Sequence, residues 1–225
     1  MENLTKKEIY SMLDLSFSRD SLVKGDRLVE VIQSKIGTGL IEDLPIKFTA
    51  VAADIATEKE HWFQTGPIDQ AIRASVSLPL LFTPHTVDGV QLIDGGILNP
   101  TPIEPTLGDD TDLTIAVDLG GPMMEETTPE PEKAKSPWQQ KMDDFLDSMR
   151  FAESKPKDQW DMFYITDQSF NTMQNAIARS RMADNPPDHL ISIPRNKCGT
   201  LEFDRSAEMV EYGYRLAEEQ LLGKL

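Results

Sequence analysis

The sequence predicts an α/β layered fold: a mostly parallel central sheet flanked by helices, followed by a mainly helical C-terminal segment. Three observations carry this. Short apolar runs of strand length alternate with runs of helical periodicity. The first such run is apolar on both faces, as strands buried in a parallel sheet are. A Pro- and Glu-rich stretch then divides this alternating part from one dominated by helical patterns. With 225 residues, 39% of them hydrophobic, the chain can bury a real core in one domain, or in one domain plus an appendage.

Thr5 and Glu8 have capping-box spacing, and Ile9, Met12 and Leu13 follow on one face, so a helix starts near residue 5. A second helix is read over residues 26–36, with Leu28, Val31, Ile32 and Ile36 facing inward and Gly37 where a C-terminal cap belongs. Lys47-Phe48-Thr49-Ala50-Val51-Ala52-Ala53 has the length and two-sided apolarity of a buried parallel strand. Pro67 opens a helix through Ile68, Ala71 and Ile72. Val90-Gln91-Leu92-Ile93 is a strand ending at Asp94, and Leu113-Thr114-Ile115-Ala116-Val117 is a third. Residues 121–137 carry Pro122, Pro129, Pro131 and Pro137 among Glu125, Glu126, Glu130 and Glu132, the composition of a solvated linker or long loop. Helical patterns come next at Trp138, Met142, Phe145 and Met149, then at Phe170, Met173 and Ile177, the latter ended by Pro186-Pro187. His189-Leu190-Ile191-Ser192-Ile193 reads as a short strand and residues 204–222 as a final helix. The chain thus divides into 1–107, a segment 108–120 with the last sheet strand, a linker 121–137, and a mainly helical 138–225.

Net charge is −16. A surface this acidic repels nucleic acid and anionic lipid at long range, and it argues against a polybasic membrane anchor. No stretch approaches the roughly 20 apolar residues of a spanning helix, so a lipid would be reached from the aqueous side, by transient contact with a membrane surface. Cys198 is the only cysteine; no internal disulfide can form, which fits a reducing compartment. Residues 1–8 show no apolar signal region, and a cytoplasmic location is the expectation.

The first candidate for chemistry is Asp94-Gly95-Gly96. An Asp ending a buried strand is held rigidly where open α/β folds place their sites. Two glycines permit a tight turn and leave room for another group. Asp-Gly is equally the strongest short hairpin signal, and the tripeptide alone favours that plainer reading. Its surroundings change the weighing. Ala71-Ile72-Arg73-Ala74-Ser75-Val76-Ser77-Leu78-Pro79 precedes Phe82-Thr83-Pro84, Asp88-Gly89, the Asp94 tripeptide and Asn99-Pro100-Thr101-Pro102. This string resembles the patatin-like phospholipases, in the bacterial branch near the neuropathy-target-esterase group. Asp43-Leu44-Pro45-Ile46 with Ala53-Asp54, Leu22-Val23-Lys24-Gly25-Asp26, and the segment from Met173 to Cys198 extend the resemblance over nearly the whole chain.

That resemblance implies hydrolysis of fatty acyl esters in phospholipids or other lipids. It proceeds through an acyl-enzyme on a Ser-Asp dyad, with no histidine, cofactor or metal. Asp94 would be the base toward the serine hydroxyl, and Arg73, Ser75, Ser77 and Asn99 would line the site. A weak nucleophile needs such a base within hydrogen-bond reach, and burial makes a carboxylate a better one. The family pattern also needs a Gly-rich oxyanion loop and a G-x-S-x-G elbow. Neither is present: no Ser lies two residues after one glycine and two before another, and the lone G-x-G, Gly37-Thr38-Gly39, reads as a helix stop. The expectation is therefore a patatin-like domain that is incomplete at its N-terminus. Ser75 and Ser77 read as structural residues at a helix end rather than substitute nucleophiles. Asp54 reads as a turn or cap residue. His61, His85 and His189 lack metal-ligand spacing, and Cys198 is a turn thiol. Three readings compete: an acyl hydrolase truncated at its N-terminus, an inactive relative that binds lipid or a protein partner, and an unrelated α/β interaction domain.

Overall fold

The computed structural model describes residues 30–31, 33–34, 37–79, 82–124, 162–199, 202 and 205–222. The helix expected from Thr5, most of the 121–137 linker and the pattern at Trp138, Met142, Phe145 and Met149 lie outside them. Of the helix expected over 26–36, Glu30, Val31, Gln33 and Ser34 are helical. Gly37 closes it, donating its N–H to Gln33 O at 2.8 Å, as a capping glycine does.

In chain order the described elements are β1 (Ala50–Asp54), β2 (Lys59–Phe63), α1 (Ile68–Ser75), β3 (His85–Val87), β4 (Val90–Asp94), β5 (Ile115–Gly121), α2 (Met162–Asp184), β6 (His189–Pro194) and α3 (Ser206–Leu221). The strands form a four-stranded sheet in the order β2-β1-β4-β3 and a two-stranded sheet of β5 and β6.

The α/β character expected from the sequence is present, with strand pairing that differs from expectation. Ala50, Val51, Ala52 and Ala53 are all buried, so β1 is covered on both faces. Yet it runs antiparallel to β2 and to β4. Its central place in the sheet, under α1 and the turn after Asp94, accounts for the burial. Two-sided apolarity reports covering, and covering is compatible with either strand direction. Parallel pairing appears instead between β5 and β6, with Val117 opposite Ile191. These strands are joined through α2, the kind of long crossover that parallel strands require. The segment expected over 108–120 holds most of β5. The C-terminal part supplies β6.

Two local features set the four-stranded sheet. Asp88-Gly89 links β3 to β4, with Val87 opposite Val90 and φ of 50° and 82°. Positive φ at both central residues is the I′ hairpin, whose twist matches that of the strands. Pro67 stands at the N-cap of α1, one residue before the first helical position. Ile68, Ala71 and Ala74 of that helix pack with Ile41, Ala50, Ala52, Phe63 and Leu92 into the core. Alanines at three-residue spacing let the helix lie close on the sheet.

Candidate active site

Asp94 is the last residue of β4, opposite Ala52 of β1. Its N–H donates to Ser77 O at 3.0 Å, fixing the strand end to the loop after α1. The chain then turns into a single 3-10 turn, Gly95–Ile97, which the Asp94 side chain caps. Oδ1 accepts the Gly96 N–H at 2.7 Å. Burial pushes the Asp94 carboxyl above the ordinary aspartate range, with the Gly96 hydrogen bond pulling weakly the other way. A carboxylate so placed is a stronger base than one in water.

Both glycines answer to space. A Cβ at Gly95 would lie 2.2 Å from Val51 O, a backbone atom of the central strand. A Cβ at Gly96 would lie 2.8 Å from Asp94 Oδ1 and 3.0 Å from Gln174 Nε2. Gly95 therefore lets the turn close onto β1, and Gly96 leaves room for the Asp94 carboxylate and for Gln174 beside it. Asp94-Gly95 is accordingly no hairpin turn; Asp88-Gly89 is the hairpin.

Of the expected site residues, Arg73 and Ser77 are brought up to Asp94 through the backbone. Arg73 is buried and donates from Nη1 to Ser77 Oγ at 2.6 Å and from Nη2 to Thr83 O at 3.1 Å. It also lies over the Phe82 ring, 5.5 Å from its centroid. Ser77, fully buried, donates its hydroxyl to Arg73 O at 2.8 Å. Arg73 thus clamps the loop whose carbonyl holds Asp94, and the Ser77 hydroxyl is committed to the arginine. Ser75 is the half-buried last residue of α1. Asn99 is tied to the turn by its backbone N–H, which donates to Gly95 O at 2.9 Å. Its side chain turns elsewhere, with Nδ2 donating to Glu60 Oε2 at 3.1 Å and Glu104 Oε2 at 3.0 Å.

Those two glutamates also bind Arg181 of α2, at Glu104 Oε1 (3.0 Å) and at Glu60 Oε1. Burial would raise the Glu104 carboxyl, but the hydrogen bonds from Asn99 and Arg181 hold it below its ordinary value. The sequence offered no sign of this cluster, nor of Gln174 over Gly96. On α2 the residues that meet the body of the protein include Gln174, Asn175, the buried Ala178 and the half-buried Ile177 and Arg181. Of the apolar pattern read from the sequence, Phe170 and Ile177 are half-buried and Met173, 53% exposed, is not, and the polar residues among them carry the long-range contacts.

The remaining candidates are accounted for locally. Asp54 accepts Ala56 N–H at 2.9 Å and the Thr57 hydroxyl at 2.7 Å, as a turn residue does. The Cys198 thiol is half-buried and raised by that burial. Among the described residues no group of three His, Cys, Asp or Glu could hold a metal, and no helix is long and apolar enough to cross a membrane.

The patatin-like phospholipase family model matches residues 3–107. An uncharacterized NTE family protein of Mycobacterium tuberculosis strain H37Rv is 31% identical over 270 residues, covering 98% of this chain and 75% of its own length. A second from the same organism is 35% identical over 106 residues, 47% of this chain and 18% of its own. The lysophospholipase NTE1 of Pyricularia oryzae is 25% identical over 211 residues, 93% of this chain and 13% of its own. With its aspartate and two glycines at the end of β4, and with these relatives along its length, the chain belongs to the patatin-like phospholipase family, near the NTE group.

Proposed function

We propose that this chain supplies the aspartate half of a Ser-Asp lipid acyl hydrolase, with Asp94 as the base that takes the proton of a serine hydroxyl. The observation that carries the reading is the Asp94 carboxylate: half-buried at a strand end, raised in basicity by that burial, and held by the Gly96 N–H of the turn that follows. Proton transfer to Asp94 would free the serine oxygen to attack an acyl carbonyl. A second proton transfer, from Asp94 to the leaving oxygen, would release the alcohol or lysolipid. Water would then hydrolyse the acyl-enzyme by the same route. Membership of a phospholipase family supports a fatty acyl ester in a phospholipid or other lipid as substrate, approached from the aqueous side.

The serine itself would come from residues outside these 225, since no G-x-S-x-G occurs among them. The same absence favours a second reading, an inactive relative that binds lipid or a protein partner. Assay of the 225-residue protein against a short-chain nitrophenyl ester, with a serine-directed fluorophosphonate probe, tests both. The protein alone is expected to show neither turnover nor label. Joined in frame to a serine-bearing elbow and Gly-rich loop, it is expected to gain both; persistent silence would favour the binding module. Robust turnover by the chain alone, with label on Ser75 or Ser77, would overturn the assignment of the nucleophile.

A further inference from the structure

Strand β5 is paired along one edge. The His189 N–H of β6 donates to Thr114 O at 3.1 Å, and Ile115 stands opposite His189. In that register the main-chain groups of Ala116 and Asp118 point toward β6, and those of Ile115 and Val117, one residue out of step, point away from it. Among the described residues β6 is the only strand paired with β5. A cleft of about 220 Å³ opens along the other edge, lined by residues 100–103 and Thr106 on one wall and by residues 114–117 on the other. Consecutive residues of a strand line one cleft together only along its edge, since their side chains alternate between the faces. One face of β5 is uncovered as well. Ile115, Val117 and Leu119 are 43%, 50% and 68% exposed, while α2 lies against the other face, with Asn175 over Gly120. Two parallel strands with an apolar face in water are an incomplete structure, because parallel sheets are covered on both faces.

We propose that the free edge of β5 is the docking site of the segment that carries the serine: an extended strand running parallel to β5 in the cleft, with the chain that follows it covering Ile115, Val117 and Leu119. This rests on the reading of Asp94 as the base of a Ser-Asp pair. The direction follows from α2. Gln174 lies beside Gly96 of the Asp94 turn, and the next residue, Asn175, lies beside Gly120 near the C-terminal end of β5. The end of β5 and the Asp94 turn are therefore level with each other along α2. A strand parallel to β5 finishes at that level, and a residue on the turn leaving it is delivered to Asp94. An antiparallel strand would bring its N-terminal end there instead. A serine on a strand-to-helix turn is the arrangement a G-x-S-x-G elbow makes. The chain leaving that turn supplies the apolar cover that β5 lacks, since α2 already occupies the other face. Main-chain hydrogen bonds to Ile115 and Val117 hold the strand, and the exposed apolar row selects apolar side chains against it. The NTE family protein of Mycobacterium tuberculosis that is similar along this whole chain has sequence of its own beyond the match, which covers 75% of its length.

Amide hydrogen exchange, read residue by residue by NMR, tests this. In the 225-residue protein the Ala116 and Asp118 N–H groups, bonded to β6, should exchange slowly, and those of Ile115 and Val117 roughly a hundredfold faster or more. Slow exchange at Ile115 and Val117 in this protein overturns the proposal, assigning the edge to a second copy if sedimentation shows a dimer and to another part of the same chain if it shows a monomer. In the form joined in frame to a serine-bearing elbow and Gly-rich loop, exchange at Ile115 and Val117 should slow by roughly a hundredfold or more, and equally in its Asp94→Asn variant. Val117→Lys, which puts a charge on the apolar row beside that edge, should remove this protection and the fluorophosphonate label together while Ala116 and Asp118 stay slow. Turnover by the joined form with Ile115 and Val117 still exchanging fast overturns the docking alone. Protection gained at both, with full activity in Asp94→Asn, overturns the reading of Asp94 and leaves the docking standing.

Discussion

The half-buried Asp94 carboxyl costs the fold stability once it is ionised. Burial lifts the carboxyl above its ordinary pKa near 4. The group costs the folded state little while it is protonated. Stability is therefore full below the unfolded pKa and is lost as pH rises through the raised, folded one. Asp94→Asn removes the buried charge and can still accept the Gly96 N–H. The variant should melt above the parent at pH 7, with the difference closing near pH 4; thermal unfolding at the two pH values reads this, and a variant less stable at pH 7 would contradict it. Gly95 shows the opposite balance. A methyl group there meets a backbone carbonyl that cannot move without shifting β1, so Gly95→Ala should cost about 2 kcal/mol or more in urea unfolding. A loss under about 0.5 kcal/mol would mean that the turn does not close on β1 as described.

Single elements were legible in the sequence wherever one local rule sufficed. The strands at β1, β4, β5 and β6, the helix after Pro67, the cap at Gly37 and the final helix all stand near where periodicity and capping put them. Pairing was not legible, because an apolar run records burial and not the direction of the neighbouring strand. The two Asp-Gly pairs make the same point. Asp88-Gly89 turns a hairpin because Val87 and Val90 pair across it, while Asp94-Gly95 ends a strand because the 3-10 turn after it folds onto Val51. Nothing in either dipeptide distinguishes them. Leu92 shows what the four-stranded sheet rests on. It is fully buried on β4, within the core cluster that includes Ala71 and Ala74 of α1. Leu92→Ala should cost about 3 kcal/mol by chemical denaturation, through lost burial and the cavity left behind. A cost below about 1 kcal/mol would place the core elsewhere.

For the molecule as a whole, the telling contacts are polar and lie far apart in sequence. Glu60 of β2, Asn99 after the Asp94 turn, Glu104 and Arg181 of α2 meet in one cluster, and no window of sequence contains them together. Such contacts leave no periodicity, which is why the helix through Phe170, Met173 and Ile177 was legible and its place against the Asp94 turn was not. Arg181→Met strands two partly buried glutamates, and should destabilise by roughly 2 kcal/mol, between the values for exposed and fully buried pairs. Adding Glu104→Gln should cost little more, since the two share one interaction; full additivity in a double-mutant cycle would argue against the cluster. Glu104, held below its ordinary pKa, contributes stability above the unfolded value and loses it as pH falls through the folded one, so the Arg181 effect should fade in acid. With the turn and the clamp at Arg73 built around it, Asp94 is the residue on which the proposed chemistry depends. The most direct measurement is the hydrolysis rate of a nitrophenyl ester by a serine-bearing form of the protein, before and after Asp94→Asn. The rate is predicted to fall by about three orders of magnitude or more while the fold is retained; near-normal turnover by the folded variant would contradict the assignment of Asp94 as the base.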